Sequence, residues 1–175
     1  MLPTAVYGAM YADDMAMWAI EEYTGTAQTR LRMAPDALRT WTEKWLMNIN
    51  PEKTTFTTFT LSTKSQTVGL RLKIGEHQLR EEPSPTYRGV TFDKRLTWKA
   101  LTDKCQKSGI LRTGLLRRLA GTQWGADMKV LKTVYTGYVR PVLEHGSSAW
   151  NTTAKSNQKK VEKVQNQSLR IITGE

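Results

Sequence analysis

Hydrophobic and polar positions divide this chain into an early part of short, alternating stretches and a later part of long helical stripes. Val6-Tyr7-Gly8-Ala9-Met10 and Met15-Ala16-Met17-Trp18-Ala19-Ile20 read as two short strands, with Ala12-Asp13-Asp14 suited to the tip of a tight connection between them. A polar connector with Gly25 runs from Glu21 to Thr26. Leu31, Ala34, Leu38, Trp41, Trp45 and Ile49 then recur at three- and four-residue spacing, which predicts a helix with one face over the hairpin. Thr26 is its candidate cap, and Pro35 predicts either a kink or a fresh start with Asp36 in the first turn. Asn48, Asn50 and Pro51 end it. Thr54 to Leu61 is β-branched or aromatic and predicts strand. Val68, Leu70, Leu72 and Ile74 alternate with polar residues or glycine, and Gly75-Glu76 turns the chain into a return strand through Gln78 and Leu79. After a loop with two prolines, Tyr87 to Asp93 reads as one further strand, with Gly89 marking a bulge or a close backbone approach.

From there the periodicity is helical. Leu101, Cys105, Leu111, Leu115 and Leu119 form one apolar stripe flanked by Lys107 and Arg118, weakened at Gly109 and Gly114 and ended by Gly121. Met128, Leu131, Tyr135, Tyr138 and Val142 form a second, interrupted at Pro141. Val161, Val164, Ser168 and Ile172 form a third, after a polar segment from Asn151 to Gln158 that can supply a cap. The fold class expected is α+β: a mixed region over residues 1–94 and an all-helical one over 95–175.

Charge sharpens this division. Residues 94–175 hold 16 Lys and Arg against 5 Asp and Glu, a balance of +11, whereas residues 1–93 hold 10 against 11. A basic helical region beside a neutral one favours a polyanionic partner, nucleic acid ahead of an anionic membrane surface. The single cysteine, Cys105, excludes an internal disulfide and a cysteine-built zinc site, and fits a reducing compartment. No apolar run has membrane-spanning length, and the N-terminus lacks a signal-peptide layout.

Chemistry concentrates in Tyr11-Ala12-Asp13-Asp14. The two carboxylates are the only charges between Val6 and Ile20. A hairpin tip that presents paired carboxylates can hold a hard divalent cation, though two solvated Asp residues in a turn would look the same.

The order of features resembles a known family. Tyr11-Ala12-Asp13-Asp14 leads to a Trp-bearing helix, then Asn50-Pro51-Glu52-Lys53-Thr54, Tyr87-Arg88-Gly89-Val90-Thr91-Phe92-Asp93, Leu96-Thr97-Trp98 and a basic helical tail. Trp124-Gly125, Tyr138 to Ser147, Trp150 and Gln165 to Arg170 extend the match. The series resembles the reverse transcriptases of non-LTR, LINE-type retrotransposons, within them the jockey-like group. The resemblance implies a partial right-hand polymerase palm, of antiparallel strands and a packing helix, followed by an all-helical thumb. It implies that Asp13 and Asp14 bind metal and are catalytic, and that Tyr11 and Ala12 pack beneath the incoming nucleotide and primer end. Lys53 would protonate or stabilise the leaving pyrophosphate. Tyr87 and Gly89 fall in the primer-grip strand pair. On the thumb, Lys104, Lys107, Arg112, Arg117 and Arg118 are the candidate backbone contacts. Lys129, Lys132, Lys159, Lys160 and Lys163 are weaker ones.

Two Mg²⁺ or Mn²⁺ ions are the implied cofactors of the complete enzyme. An RNA template, a DNA primer and dNTPs are its implied partners, with no membrane. The family also places a metal-binding Asp and the fingers upstream of this motif, where only ten residues precede Tyr11. The expectation is therefore a polymerase fragment, inactive alone, with a poorly packed N-terminal part and a self-sufficient helical one. The alternative is a non-enzymatic, basic nucleic-acid-binding remnant of a transposable element. An intracellular location is expected; dispersed Lys and Arg leave nuclear and cytoplasmic residence undivided.

Overall fold

The computed structural model describes residues 4–62, 69–121 and 125–175; Val68 and Trp124, used above, lie outside the described residues. The chain separates into two compact units, Met1–Gly89 and Val90–Glu175.

In the first unit, β1 (Val6–Tyr11) pairs antiparallel with β2 (Asp14–Ala19), in a register running from Val6↔Ala19 to Tyr11↔Asp14. Ala12 and Asp13 are left as a two-residue loop. Ala12 takes a left-handed φ of 52°, which lets a two-residue turn follow the strands' right-handed twist. Both strands contact α1 (Thr24–Lys44), and Val6 is the buried residue of the hairpin strands. Tyr7 and Trp18, a register pair, stack with ring centroids 6.1 Å apart and stay largely exposed.

Helix α1 starts earlier than its Thr26 cap signal, with Tyr23 as the N-cap; the Tyr23 carbonyl accepts from the amides of Thr26 and Ala27. It runs through Pro35, which is buried beside Ala34. It also stops short of Ile49. The Met47 amide donates to the Thr42 carbonyl (2.9 Å) and the Leu46 amide to that of Glu43 (3.3 Å), while Leu46 turns left-handed at φ 53°. These two bonds form a Schellman closure, which satisfies the last carbonyls and cannot be extended as helix.

The predicted strands survive mostly as two-residue ladders. From the Thr54–Leu61 run only β3 (Thr55–Phe56) is strand, parallel to β6 (Arg80–Glu81). The turn at Gly75-Glu76 appears as expected, between β4 (Lys73–Ile74) and β5 (His77–Gln78), and the flanking Leu72 and Leu79 are buried. The strand expected over Tyr87–Asp93 is broken. Arg88 and Gly89 both take left-handed φ, 50° and 79°, so a tight turn separates β7 (Thr86–Tyr87) from β8 (Val90–Thr91). Two adjacent left-handed residues reverse the chain, so Gly89 marks a turn instead of a bulge.

In the second unit, the Asp93 carboxylate organises the approach to α2 (Lys99–Leu119). Its Oδ1 accepts from the amides of Arg95 (3.2 Å) and Thr97 (2.9 Å), and its Oδ2 from that of Trp98 (2.7 Å). A second helix follows as α3 (Met128–Val134), a π-turn at Tyr135–Val139, and α4 (Arg140–Leu143). The chain thus stays helical through Pro141, with the Arg140 amide bonded back to Tyr135. The buried residues Leu131, Tyr135, Val139 and Leu143 are spaced by four. Ideal α geometry would rotate the last of them by about 120° from the first, and the wider π-turn takes back part of that drift. After α5 (Ser147–Trp150), α6 (Lys155–Thr173) packs along α2, burying Val161, Val164 and Ser168.

One stripe departs from its prediction in its middle turns. Leu101 and Cys105 are buried, but Leu111 is 79% exposed and Leu115 is also exposed; the inner face of α2 continues instead through Gly109, Thr113 and Leu116. Gly109 sits so close to Leu143 and Val164 that a Cβ there would overlap the Leu143 side chain. The Thr113 and Ser168 hydroxyls pair at 2.8 Å within this contact. Small and hydroxylated residues let α6 approach, which a hydrophobicity pattern does not register.

Candidate functional site

The hairpin tip forms because two apolar strands in register leave only Ala12 and Asp13 to make the turn. Asp13 and Asp14 are exposed there, and among the described residues no cation forms an ion pair with either. Tyr11 and Asp14 close the ladder as register partners, so their side chains leave the same face. Two hard oxygen donors without a competing partner suit a divalent cation, and they supply part of the donor set for one. Among the described residues, no group of three or more His, Cys, Asp or Glu side chains is placed to share an ion.

The same unit brings the Arg88-Gly89 turn to this hairpin. The Arg88 guanidinium carbon lies 3.4 Å from the centroid of the Tyr11 ring. Tyr11 is thereby placed beside the turn that joins Tyr87 to Gly89, three of the residues the sequence singled out. The sequence pattern does not single out Arg88. Its signal was available as a lone cation between two nominated residues, but nothing in the spacing says where that cation points.

Lys53 is exposed on a turn built by Asn50. The Asn50 side-chain oxygen accepts from the amides of Glu52 (3.1 Å) and Lys53 (3.2 Å), and its carbonyl accepts from the Thr54 hydroxyl (2.8 Å). No hydrogen bond or ion pair joins Lys53 to Asp13 or Asp14 among the described residues. Asn48 to Glu52 and His77 line an open groove of about 540 Å³ beside it.

In the second unit, Lys104, Lys107, Leu111, Leu115 and Arg118 are all exposed, and their three- and four-residue spacing sets them along one outer strip of α2. Arg117 is exposed to one side. Arg112 is engaged differently: it donates to the Tyr138 carbonyl (2.6 Å) and lies over the Tyr138 ring, pinning α2 to the π-turn. Of the weaker candidates, Lys160 is bound to Asp103 at 2.5 Å. Cys105 is buried, its thiol directed at the His145 carbonyl, and burial pushes its pKa up. No helix among the described residues is long and apolar enough to cross a membrane.

No protein-family model matches the chain, and no solved structure matches it. Curated proteins do. The probable RNA-directed DNA polymerase from transposon BS of Drosophila melanogaster is 33% identical over 171 residues, 94% of this chain and 18% of that protein. The RNA-directed DNA polymerase from mobile element jockey of the same species is 26% identical over 166 residues, 95% of this chain and 18% of the relative. The Retrovirus-related Pol polyprotein from type-1 retrotransposable element R1 4 of Nasonia vitripennis is 30% identical over 104 residues, 59% of this chain and 26% of that protein. The chain spans only 18% of the length of its Drosophila relatives. The chain is therefore a homologue of the RNA-directed DNA polymerases of jockey-like and R1 non-LTR retrotransposons, aligned to a segment of them over nearly all of its own length.

Proposed function

We propose that this chain is the segment of an RNA-directed DNA polymerase that carries the metal-binding hairpin, followed by a basic helical unit that holds the template–primer. The observation that carries this reading is the Asp13-Asp14 tip, exposed and without an ion-pair partner among the described residues, in a chain homologous nearly end to end to such polymerases. Nucleotidyl transfer by two divalent ions roughly 3.5–4 Å apart needs carboxylates open to both solvent and substrate. Asp13 and Asp14 would hold the ions, which would supply activation of the primer 3′-hydroxyl and positive charge to the triphosphate. The chain's own part is to present Asp13 from the two-residue turn and Asp14 from the start of β2, with Tyr11 and Ala12 beneath the primer end. Tyr87 leads into the neighbouring turn and Gly89 forms part of it, on the primer side. Lys53 would supply a cation to the leaving pyrophosphate. The palm and thumb of the right-hand polymerase are the assignments we give to the two units.

Two carboxylates do not complete a two-ion site, so the chain by itself is expected to bind Mn²⁺ and to extend no primer. Mn²⁺ titration followed by electron paramagnetic resonance checks the first point: Asp13→Asn plus Asp14→Asn should abolish binding. Unchanged Mn²⁺ binding in that double variant would sink the assignment. Primer extension with Mg²⁺, dNTPs and an RNA template checks the second, and extension that the double substitution removes would show the site to be complete.

The outer strip of α2 favours a second reading, in which the chain binds nucleic acid without catalysis. Lys104, Lys107, Arg117 and Arg118 offer charge to phosphates, with Leu111 and Leu115 between them for sugar edges. On this reading, template–primer affinity falls steeply with salt and is indifferent to the aspartates. Replacing Lys107, Arg117 and Arg118 together by Gln should lower the salt slope by about 2–3. A flat salt dependence of the unsubstituted chain counts against it.

A further inference from the structure

The Arg88-Gly89 turn delivers to the carboxylate hairpin a cation that neither reading above uses. The guanidinium carbon of Arg88 stands 3.4 Å from the Tyr11 ring centroid, within stacking distance of a cation on a π-face. Tyr11 is the register partner of Asp14, so the two side chains leave the hairpin on one face with Cβ atoms about 5 Å apart. A guanidinium stacked on Tyr11 therefore stands on Asp14's side of the hairpin. Among the described residues no carboxylate pairs with Arg88, so the ring is its partner.

Backbone conformation makes the contact more informative. Arg88 at φ 50° and Ala12 at φ 52° are both non-glycine residues in the left-handed region, and each heads a tight turn. Such conformations persist where the surroundings over-determine them. The stack joins the two turns, so each helps to fix the other. A planar guanidinium suits this task better than an ammonium, because it covers the ring face and keeps its N–H edge free.

We propose that Arg88 is a positioning residue for the carboxylate hairpin. It clamps the Tyr11 ring, ties the Arg88-Gly89 turn to the Ala12-Asp13 turn, and fixes the direction in which Asp14 meets a divalent cation. This rests on reading the hairpin as a metal-binding tip. The opposite role is equally definite: a cation that merely stands near Asp14 would repel a metal ion and weaken its binding.

The full chain tests this by two readouts. In the nuclear magnetic resonance spectrum, the Arg88 Hδ protons should be shifted upfield by the ring current of Tyr11. Tyr11→Leu should abolish that shift and Tyr11→Phe should retain it. In Mn²⁺ titrations, Arg88→Gln should weaken binding about two- to fivefold, and Arg88→Lys should restore only part of it. Unshifted Arg88 protons would overturn the clamp. Tighter Mn²⁺ binding by Arg88→Gln would overturn the positioning role in favour of simple repulsion. A shifted Arg88 in a chain that binds no Mn²⁺ would confirm the clamp and refute the metal-binding reading of the hairpin.

Discussion

Two glycines on one helix face opposite environments, and they should respond oppositely to the same substitution. Gly109 is buried in α2, where an added methyl would overlap Leu143 and come within 3.1 Å of Val164. Gly114, five residues on, has open space around its Cβ position. Ala gains about 1 kcal/mol of helix propensity over Gly at either site. At Gly109 overpacking of about 1–3 kcal/mol outweighs that gain, so Gly109→Ala lowers the urea midpoint while Gly114→Ala raises it. Leu46 offers a third residue-scale case: it is 95% exposed and left-handed, so its side chain contributes strain and almost no burial. Leu46→Gly should slow hydrogen exchange of the last amides of α1, by roughly 0.5–1 kcal/mol of local stability. Faster exchange would show that Leu46 makes contacts its exposure hides.

At the scale of an element, Asp93 holds the start of α2. Three amides of the loop that leads into the helix, ending at the flanking residue Trp98 (φ 60°), point at one carboxylate. Hydrogen bonds to a charged acceptor contribute about 1.5–3 kcal/mol each, less where water can replace them. Asp93→Ala should cost about 3 kcal/mol in the stability of the helical unit by urea denaturation, and Asp93→Asn distinctly less. The loop is also fastened from the other side, where the Thr153 hydroxyl donates to the Thr97 carbonyl at 2.6 Å. Leu96-Thr97-Trp98 was legible as a conspicuous tripeptide, but its role as an anchored entry to α2 is a consequence of hydrogen bonds made across the fold.

At the scale of the molecule, burial of two weak acids makes the helical unit sensitive to alkali. Desolvation pushes the Cys105 thiol above its ordinary 9.0, partly opposed by Lys104, and pushes Tyr135 above 10.0, partly opposed by Arg140. Both groups stay protonated in the folded state at pH values where the unfolded chain releases its protons. Unfolding is therefore favoured as pH rises through the ordinary thiol and phenol range. The thermal midpoint should fall between about pH 8.5 and 10.5, and the fall should be shallower in Cys105→Ala. An equal slope in that variant would place the sensitivity elsewhere. In the first unit, hairpin residues Tyr7, Met10, Tyr11 and Trp18 are exposed.

Local chemistry was legible in the sequence wherever a residue's role is settled by its near neighbours. The hairpin around Ala12-Asp13, the turn at Gly75-Glu76, and the helical stripe through Val161, Val164 and Ser168 are all of this kind. Alternation, turn propensity and helical period depend on a few consecutive residues, so they can be read without the fold. What the tertiary structure alone decided is which of two plausible faces is inside, and which distant groups meet. Leu111 and Leu115 look like core and face outward, because Gly109, Thr113 and Ser168 allow α6 to approach the other side of α2 more closely. Arg88 looks like an ordinary turn cation and lies on Tyr11, because two left-handed turns remote in sequence are folded against each other. Packing and register are sums over contacts between remote segments, and no window of the chain contains both partners.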